Sequence, residues 1–255
     1  MRASAVALVL LLGCAATGCA ETHAATDPRT ATDPRTATDP RSATHPRTAA
    51  QLLDSANRTM KALRSVTITA ETVATGGGRV YSGRRTTDLR TRCAYKASFR
   101  SGSELEQIRM GGTDYIHGND MYFEMWGRET VPAMRQKPWL KSPVSAARGA
   151  DDLAVCTWPF TSFGKPTKGA RTELDGRPVI PVEVRDKAGE SPFARQPGTY
   201  TFYVAAEGVP YLLEIGYKGP YNRTTTVFSD FDKPLAIRPP ATADTLDLST
   251  VRASG

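Results

Sequence analysis

The chain has 255 residues, of which 40% are hydrophobic and 23% charged, and its formal net charge is +7. These values are ordinary for a globular protein, and no apolar run approaches the roughly 20 residues that a membrane-spanning helix needs. The basic residues are scattered and form no block, so we expect no nucleic-acid partner, and weak attraction to an anionic membrane surface is the simpler interpretation of the charge.

Residues 1–18 have the pattern of a bacterial signal peptide. Arg2 precedes an apolar run over residues 3–12, and small residues surround Cys14 and Cys19. A run of about ten apolar residues suits a signal peptide and is too short to span a bilayer. The segment resembles a lipoprotein signal, in which a small residue precedes the cysteine that becomes acylated.

Two positions fit that lipidation pattern. Cys19 follows Ala-Thr-Gly and gives the more usual peptide length, whereas Cys14 follows Leu-Leu-Gly and has the better residue three positions earlier. We expect the anchor at Cys19, with Cys14 as the alternative and an ordinary secretory peptide as the third possibility. Acylation with palmitate or a similar chain would hold the protein stably on the outer face of the cytoplasmic membrane, because two or more chains on one residue bind firmly.

Residues 19–48 predict a flexible tether. The six-residue unit Thr-Asp-Pro-Arg-Thr-Ala begins at Thr26 and again at Thr32, and variants of it begin at Thr38 and Thr44. A proline in every unit blocks helix formation, and no unit has a large apolar side chain to bury. Residues 49–255 are then expected to form a single domain.

The domain opens with an amphipathic helix over residues 49–63 that leads into a strand starting at Ser65. Three glycines at 76–78 turn the chain, and residues 89–99 alternate between apolar and basic side chains as a strand does. Turn residues then predict strands over 121–123, 179–184, 200–205 and 209–217, while Ser142-Pro143 favours a helix over 143–155. A last strand is expected over 224–231.

This order of elements predicts an α+β fold. We expect a curved antiparallel sheet, or half-barrel, of about nine or more strands that is covered by helices. Such a sheet can enclose an apolar cavity, although periodicity does not distinguish an empty interior from a filled one.

Four stretches of sequence carry a family resemblance. They are Val66-Thr67-Ile68 after the opening helix, the hairpin at 115–122, Trp139-Leu140-Lys141, and the closing segment 228–234. Together they resemble the LppX and LprG type of actinobacterial lipoprotein, which is related in fold to the LolA lipoprotein carrier. The resemblance implies a LolA-like half-barrel with helices over its mouth, and some members carry acylated lipids. The hexad tether and the pair Cys93 and Cys156 depart from that group.

The resemblance also implies where a ligand would bind. The apolar faces of residues 89–99, 200–204 and 209–217 would line a common concave surface. The candidate ligand-binding residues on those faces are Leu89, Tyr95, Phe99, Tyr200, Phe202, Val204, Tyr211, Leu213 and Ile215. The tryptophans at 126, 139 and 158 are further candidates, for which packing in the core is the alternative.

Cys93 and Cys156 remain once the anchor region is set aside, and an even pair in an exported chain predicts a disulfide. Two buried thiols are the alternative. No His or Cys lies at ligand spacing near either cysteine, so we expect no metal and no cofactor.

Catalysis is not expected. His117 is the one histidine outside the tether, it lies beside a predicted turn, and no nucleophile or phosphate-binding motif accompanies it. Glu104 and Glu106 have the spacing of an acid/base pair, which a solvent-facing strand explains more simply.

Two functional hypotheses remain for this domain, which we expect to be a monomer. The first is a carrier or binder of a lipid or other hydrophobic molecule at the cell surface. The second is an envelope interaction or sensor module that binds a protein partner and has no ligand cavity. A cavity of several hundred cubic ångströms would favour the first, since small-molecule sites measure about 300 to 1,000 Å³.

Overall fold

The computed structural model describes residues 47–125, 132–147, 152–187, 191–193 and 196–250. The predicted signal peptide, nearly all of the tether, Trp126 and both candidate anchor cysteines, Cys14 and Cys19, lie outside the described residues. Within these ranges no helix is both long and apolar enough to cross a membrane.

The first element is helix α1, Ala49–Lys61, as the sequence predicts. A capping box fixes its start: the Thr48 hydroxyl accepts a hydrogen bond from the Gln51 N–H, and the Gln51 side chain accepts one from the Thr48 N–H. Leu53 and Met60 on one face are completely buried. Burial of each such side chain contributes about 1.5–3 kcal/mol, which holds the helix on the sheet.

The described residues form a sheet of thirteen strands and two further short helices. The strands are β1 Val66–Ala74, β2 Arg79–Thr87, β3 Arg92–Phe99, β4 Glu104–Met110, β5 Thr113–Gly118, β6 Trp139–Pro143, β7 Pro166–Lys168, β8 Thr172–Leu174, β9 Arg177–Asp186, β10 Gly198–Ala205, β11 Leu212–Lys218, β12 Asn222–Ser229 and β13 Thr245–Asp247. The helices are α2 Asp120–Met125 and α3 Pro132–Gln136.

The sheet order is β13-β6-β5-β4-β3-β2-β1-β12-β11-β10-β9-β7, with β8 also paired to β9. Neighbouring strands are antiparallel except β6 and β13. The chain therefore forms two meanders, one over β1 to β6 and one over β9 to β12. The first strand of the first meander, β1, pairs with the last strand of the second, β12, in the middle of the sheet. The predicted α+β class and curved antiparallel half-barrel of about nine or more strands are confirmed, and three of the thirteen strands, β7, β8 and β13, have only three residues each.

The concave face holds two separate apolar clusters. The larger one lies between α1 and strands β9 to β12, and it includes Leu53, Phe202 and Phe228. The smaller one lies over β3 to β6 and includes Leu105 and the α2 residue Tyr122. The middle of the sheet lies between these clusters.

Two predictions about local structure are wrong because side chains fix the backbone differently. The predicted strand over 121–123 is helix α2, since the Asn119 side-chain oxygen accepts from the Tyr122 N–H at 3.0 Å, as a helix N-cap does. The strand predicted from Leu89 begins only at Arg92. The Asp88 carboxylate accepts from the N–H groups of residues 90, 91 and 92, and Leu89 in this turn has φ of 60°.

The helix predicted over 143–155 is also wrong for the described part of that segment. Residues 139–143 form β6, which pairs with β5, and only residues 144–146 make a 3-10 turn. Ser142-Pro143 is a helix-start signal that pairing with β5 overrides. Residues 152–155 have no regular structure.

Candidate functional site

Small side chains form the floor of the concave face where the two meanders meet. In one row across the sheet, Gly83 of β2 pairs with Ala70 of β1, Ala70 with Thr226 of β12, and Thr226 with Ile215 of β11. These residues share the concave side, because alternate residues of each strand point to the same face. The small side chains of Ala70 and Thr226 leave the space above them unfilled, and a cavity of about 470 Å³ lies there, whereas the Tyr81 hydroxyl lies over Gly83.

Aromatic rings form one wall of this cavity. Tyr200 of β10 and Tyr217 of β11 lie side by side, with ring centroids 4.8 Å apart. The Trp158 ring stacks on Phe193 at 5.8 Å and meets Phe228 edge-on at 5.6 Å. Aromatic pairs at these distances make a rigid apolar surface.

Residues 152–163 cross over the concave face, and we refer to them as the crossing segment. A disulfide joins its Cys156 to Cys93 of β3. The Thr87 hydroxyl donates to the Cys156 carbonyl at 2.6 Å, and Arg85 Nη1 donates to the Val155 carbonyl at 2.5 Å. Bonds from β2 and β3 therefore fix the part of this segment that places Trp158 beside the cavity.

A buried polar network holds the start of the crossing segment. Gln107 of β4 is fully buried; its side chain accepts from the Ala154 N–H at 2.7 Å and donates to the Ala154 carbonyl at 3.2 Å. Gln107 also donates to the Asp114 carboxylate. Arg109 forms a bidentate ion pair with this carboxylate, in which Nε and Nη2 each lie 2.7 Å from one of its oxygens. A buried polar group that loses a hydrogen-bond partner destabilises the fold. The network therefore fixes the position of the crossing segment at Ala154.

Arg85 is the cationic group of the site. Its side chain lines both the main cavity and an adjoining one of about 290 Å³, and Trp158, Tyr81 and Ala70 also line both. The guanidinium carbon lies 5.1 Å from the centroid of the Trp158 ring. Burial lowers the pKa of Arg85 from its ordinary value. That ordinary value is so high that the side chain stays charged at neutral pH.

The tyrosines around Arg85 supply neutral hydroxyl groups. The hydroxyls of Tyr81 and Tyr95 are 2.9 Å apart. Burial raises the pKa of both side chains, and it raises the pKa of Tyr200 to about 12. All three are therefore protonated at neutral pH, and none of them compensates the charge of Arg85.

Three of the candidate ligand-binding residues lie at these cavities. Tyr200 and Ile215 line the main cavity and Tyr95 lines the adjoining one. Phe202 and Val204 are buried in the larger cluster, which Leu89 contacts from its turn.

The other three candidates lie elsewhere. Leu213 is buried, Tyr211 stacks on Phe231 at 4.2 Å, and Phe99 packs on Tyr81 at 5.6 Å. Ligand contact therefore stays a prediction for these residues, and the structure brings only Tyr200, Ile215 and Tyr95 together around open space.

Sequence reasoning missed Tyr81, Gly83 and Arg85. They follow one another at every second position of β2, which is the signal that could have found them. The stretch reads Arg-Val-Tyr-Ser-Gly-Arg-Arg-Thr-Thr, and its apolar and polar residues do not separate cleanly between the two faces.

The residues considered for catalysis lie away from the cavity. His117 packs against Trp139, with ring centroids 5.4 Å apart, and Glu106 forms an ion pair with Lys96 at 2.5 Å. Among the described residues, no three His, Cys, Asp or Glu side chains form a group that could hold a metal ion.

The fold is similar to that of LprF from Mycobacterium bovis. The TM-score is 0.52 at 13% sequence identity, and the match covers 76% of this chain and 97% of that one. At this identity the likeness establishes the fold, and the predicted LppX/LprG-type, LolA-like architecture is confirmed.

Two other solved structures match less closely. The lipoprotein LppX of Mycobacterium tuberculosis gives a TM-score of 0.48 at 11% identity, over 74% of this chain and 98% of that one. A LolA superfamily protein of Nitrosomonas europaea gives 0.31 at 10% identity, over 77% and 96%. No family model and no curated protein matches the sequence.

Proposed function

We propose that this chain is an exported, membrane-anchored lipoprotein whose domain binds a hydrophobic molecule, such as a lipid, in the concave cavity. The observation that carries the proposal is the cavity itself. Its volume of about 470 Å³ lies within the roughly 300–1,000 Å³ of small-molecule sites. A partner-binding module needs no such interior.

The composition of the walls suits an acyl chain. Phe193, Trp158 and Ile215 present apolar surface to the cavity, and Ala70 forms part of its floor. Each CH₂ group buried there contributes about 0.8 kcal/mol, so a sixteen-carbon chain gains around 12 kcal/mol before the costs of association. A ligand with that much buried surface survives purification.

Anchoring at Cys19 would keep this cavity near its source of lipid. A tether over residues 19–48 would reach about 30 Å as a flexible coil, enough to clear the headgroup region. The domain would then load and unload on the outer face of the cytoplasmic membrane.

The test is to find the ligand. The full chain with Cys14→Ser and Cys19→Ser is made in its own host, purified without detergent, and analysed by native mass spectrometry and organic extraction. We expect a bound hydrophobic species at near-stoichiometric amount. A protein that emerges without ligand, and that also fails to take up added fatty acid, would contradict the proposal and favour a module that binds a protein partner.

A matched pair of variants locates the ligand. Ala70→Phe places a ring on the cavity floor and should reduce the bound species severalfold. Thr69→Phe places the same ring on the exposed opposite face of β1 and should leave it unchanged. Equal retention in the two variants would mean that the ligand binds outside the cavity.

A further inference from the structure

Arg85 is a partly buried cation in a cavity whose described lining residues include no carboxylate. Among the described residues no carboxylate forms an ion pair with it, and its neighbours Tyr81 and Tyr95 are neutral hydroxyls. Its hydrogen bond to the Val155 carbonyl satisfies Nη1, whereas Nε is buried and has no partner. A charged donor left in this condition is unusual, because buried polar groups are nearly always paired.

A second unpaired donor lies next to it. The Trp158 ring faces the guanidinium of Arg85, and its Nε1–H is also buried without a partner. The two side chains come from different parts of the chain, β2 and the crossing segment, and both line the main and adjoining cavities. The disulfide and the Thr87 bond to Cys156 fix their relative position. Both of these nitrogens have almost no accessible surface, so a ligand in the cavity meets the open part of the Arg85 guanidinium.

We infer that the cavity recognises an amphiphile with an anionic headgroup, and that Arg85 binds its carboxylate or phosphate while the acyl chain lies along the aromatic wall that includes Trp158. The inference rests on the proposed function and names the class of ligand. Folding has already taken much of the Arg85 side chain out of water, so the anion meets a cation that has lost part of its hydration before binding. A neutral lipid would leave that cation unpaired, which makes the charge of the headgroup the basis of selection.

The experiment compares probes that differ only in headgroup charge. The full chain, unanchored as above and stripped of lipid, is titrated at about pH 8, where a carboxyl group is ionised. Hexadecanoic acid is compared with 1-hexadecanol, and palmitoyl lysophosphatidate with monopalmitoylglycerol. We expect each anionic probe to bind about tenfold or more tightly than its neutral partner, as charge-assisted hydrogen bonds allow. The tighter of the two anionic probes identifies the source as carboxylate or phosphate.

Arg85→Met should abolish this preference, because it should lower the affinity for the anionic probes and leave the affinity for the neutral probes unchanged. Arg84→Met is the matched control: Arg84 is the next residue of β2, is exposed on the opposite face and pairs with Asp230 at 3.6 Å. It removes the same charge and should keep the preference. Equal affinities in the wild type, or a preference that survives Arg85→Met, would overturn the inference.

Arg85→Gln decides the matter if Arg85→Met does not fold. It keeps a polar end that can donate to the Val155 carbonyl and removes the charge, so the affinity for anionic probes should fall about tenfold with that for neutral probes unchanged. Unchanged anion affinity would contradict the site. If no probe of either charge binds the wild type, the proposed function itself fails, which separates that outcome from failure of the headgroup assignment.

Discussion

Gly83 lies on the concave face of β2, close under the ring of Tyr81. A Cβ atom at this position would overlap the Tyr81 hydroxyl and lie 3.2 Å from the Tyr95 ring. Glycine here therefore allows the two tyrosines to meet and bond to each other at 2.9 Å. The residue has no side chain because its neighbours occupy the space.

We predict that Gly83→Ala lowers the free energy of unfolding by about 1–3 kcal/mol, the usual effect of inserting a methyl group into packed surroundings. Urea denaturation measures it. Gly76→Ala is the control, because a Cβ at Gly76 meets nothing within 4 Å and should change stability by less than about 0.5 kcal/mol. Glycine otherwise weakens a strand, so a gain in stability from Gly83→Ala would contradict the packing described here.

At the scale of elements, the crossing segment depends on its disulfide. Cys93 and Cys156 are 63 residues apart in sequence. Closing a loop of this length restricts the unfolded chain by about 4 kcal/mol in the chain-entropy description. The bond also fixes the segment that positions Trp158.

Replacing both cysteines, Cys93→Ala with Cys156→Ala, should therefore lower the free energy of unfolding by about 2–5 kcal/mol. Denaturant unfolding of the oxidised, reduced and double-variant proteins measures the loss, and the reduced protein should match the variant. The wild-type domain is also unfolded without reductant and treated with a thiol label. Labelling of both Cys93 and Cys156 would exclude the bond.

The edge strand β13 is held to β6 by an ion pair. Lys141 Nζ lies 2.7 Å from Asp247 Oδ2, and Ser249 also bonds to this carboxylate. The hydrogen bond from Lys141 lowers the pKa of Asp247 to about 2, from the usual 3.8. The folded form thus binds a proton less readily than the unfolded form, so the pair stabilises the fold above about pH 4, and the contribution is lost as the pH falls towards 2.

An NMR titration of the Asp247 carboxyl carbon tests this account. The midpoint should lie near 2 in the wild type and return towards 3.8 in Lys141→Met, since the first cause of the shift is removed. Lys137→Met removes an exposed lysine that precedes β6 and should leave the midpoint unchanged. A wild-type midpoint near 3.8 would show that the pair does not form in solution.

How far sequence predicted these elements depended on whether local pattern and long-range contacts agreed. Helix α1 and strands β10 and β11 were predictable, because each buries one regular face. The crossing segment was not, since its position depends on bonds from Gln107, Thr87 and Cys93, all distant in sequence. The concave residues of β2 include a glycine and an arginine. The sequence of β2 therefore lacks the apolar alternation that would identify its concave face.

At the scale of the whole molecule, the cavity follows from how the two meanders meet. Each half of the sheet has its own apolar cluster, and the strands between them carry alanine, threonine and glycine on the concave side. Periodicity alone could not reveal this space. A strand with small residues has the same sequence pattern whether side chains from elsewhere fill the space above it or leave it open.

Attachment to the membrane is a prediction for the exported chain. Cys19→Ser should abolish incorporation of labelled palmitate and move the protein from the membrane to the soluble fraction, because the acyl chains provide the anchoring energy. Cys14→Ser should leave both unchanged. The opposite pattern would assign the anchor to Cys14, and no labelling of the wild type would indicate an ordinary secretory peptide.

The central claim, that the concave cavity holds an acyl chain, is tested most directly by quenching of Trp158. With Trp126→Phe and Trp139→Phe, Trp158 becomes the only tryptophan, and its ring lines both the main and adjoining cavities. A fatty acid with a spin label on its chain should quench this emission saturably at one ligand per chain, and Ala70→Phe should reduce the effect while Thr69→Phe does not. Binding of the labelled acid without quenching, or quenching that Ala70→Phe leaves intact, would contradict the account.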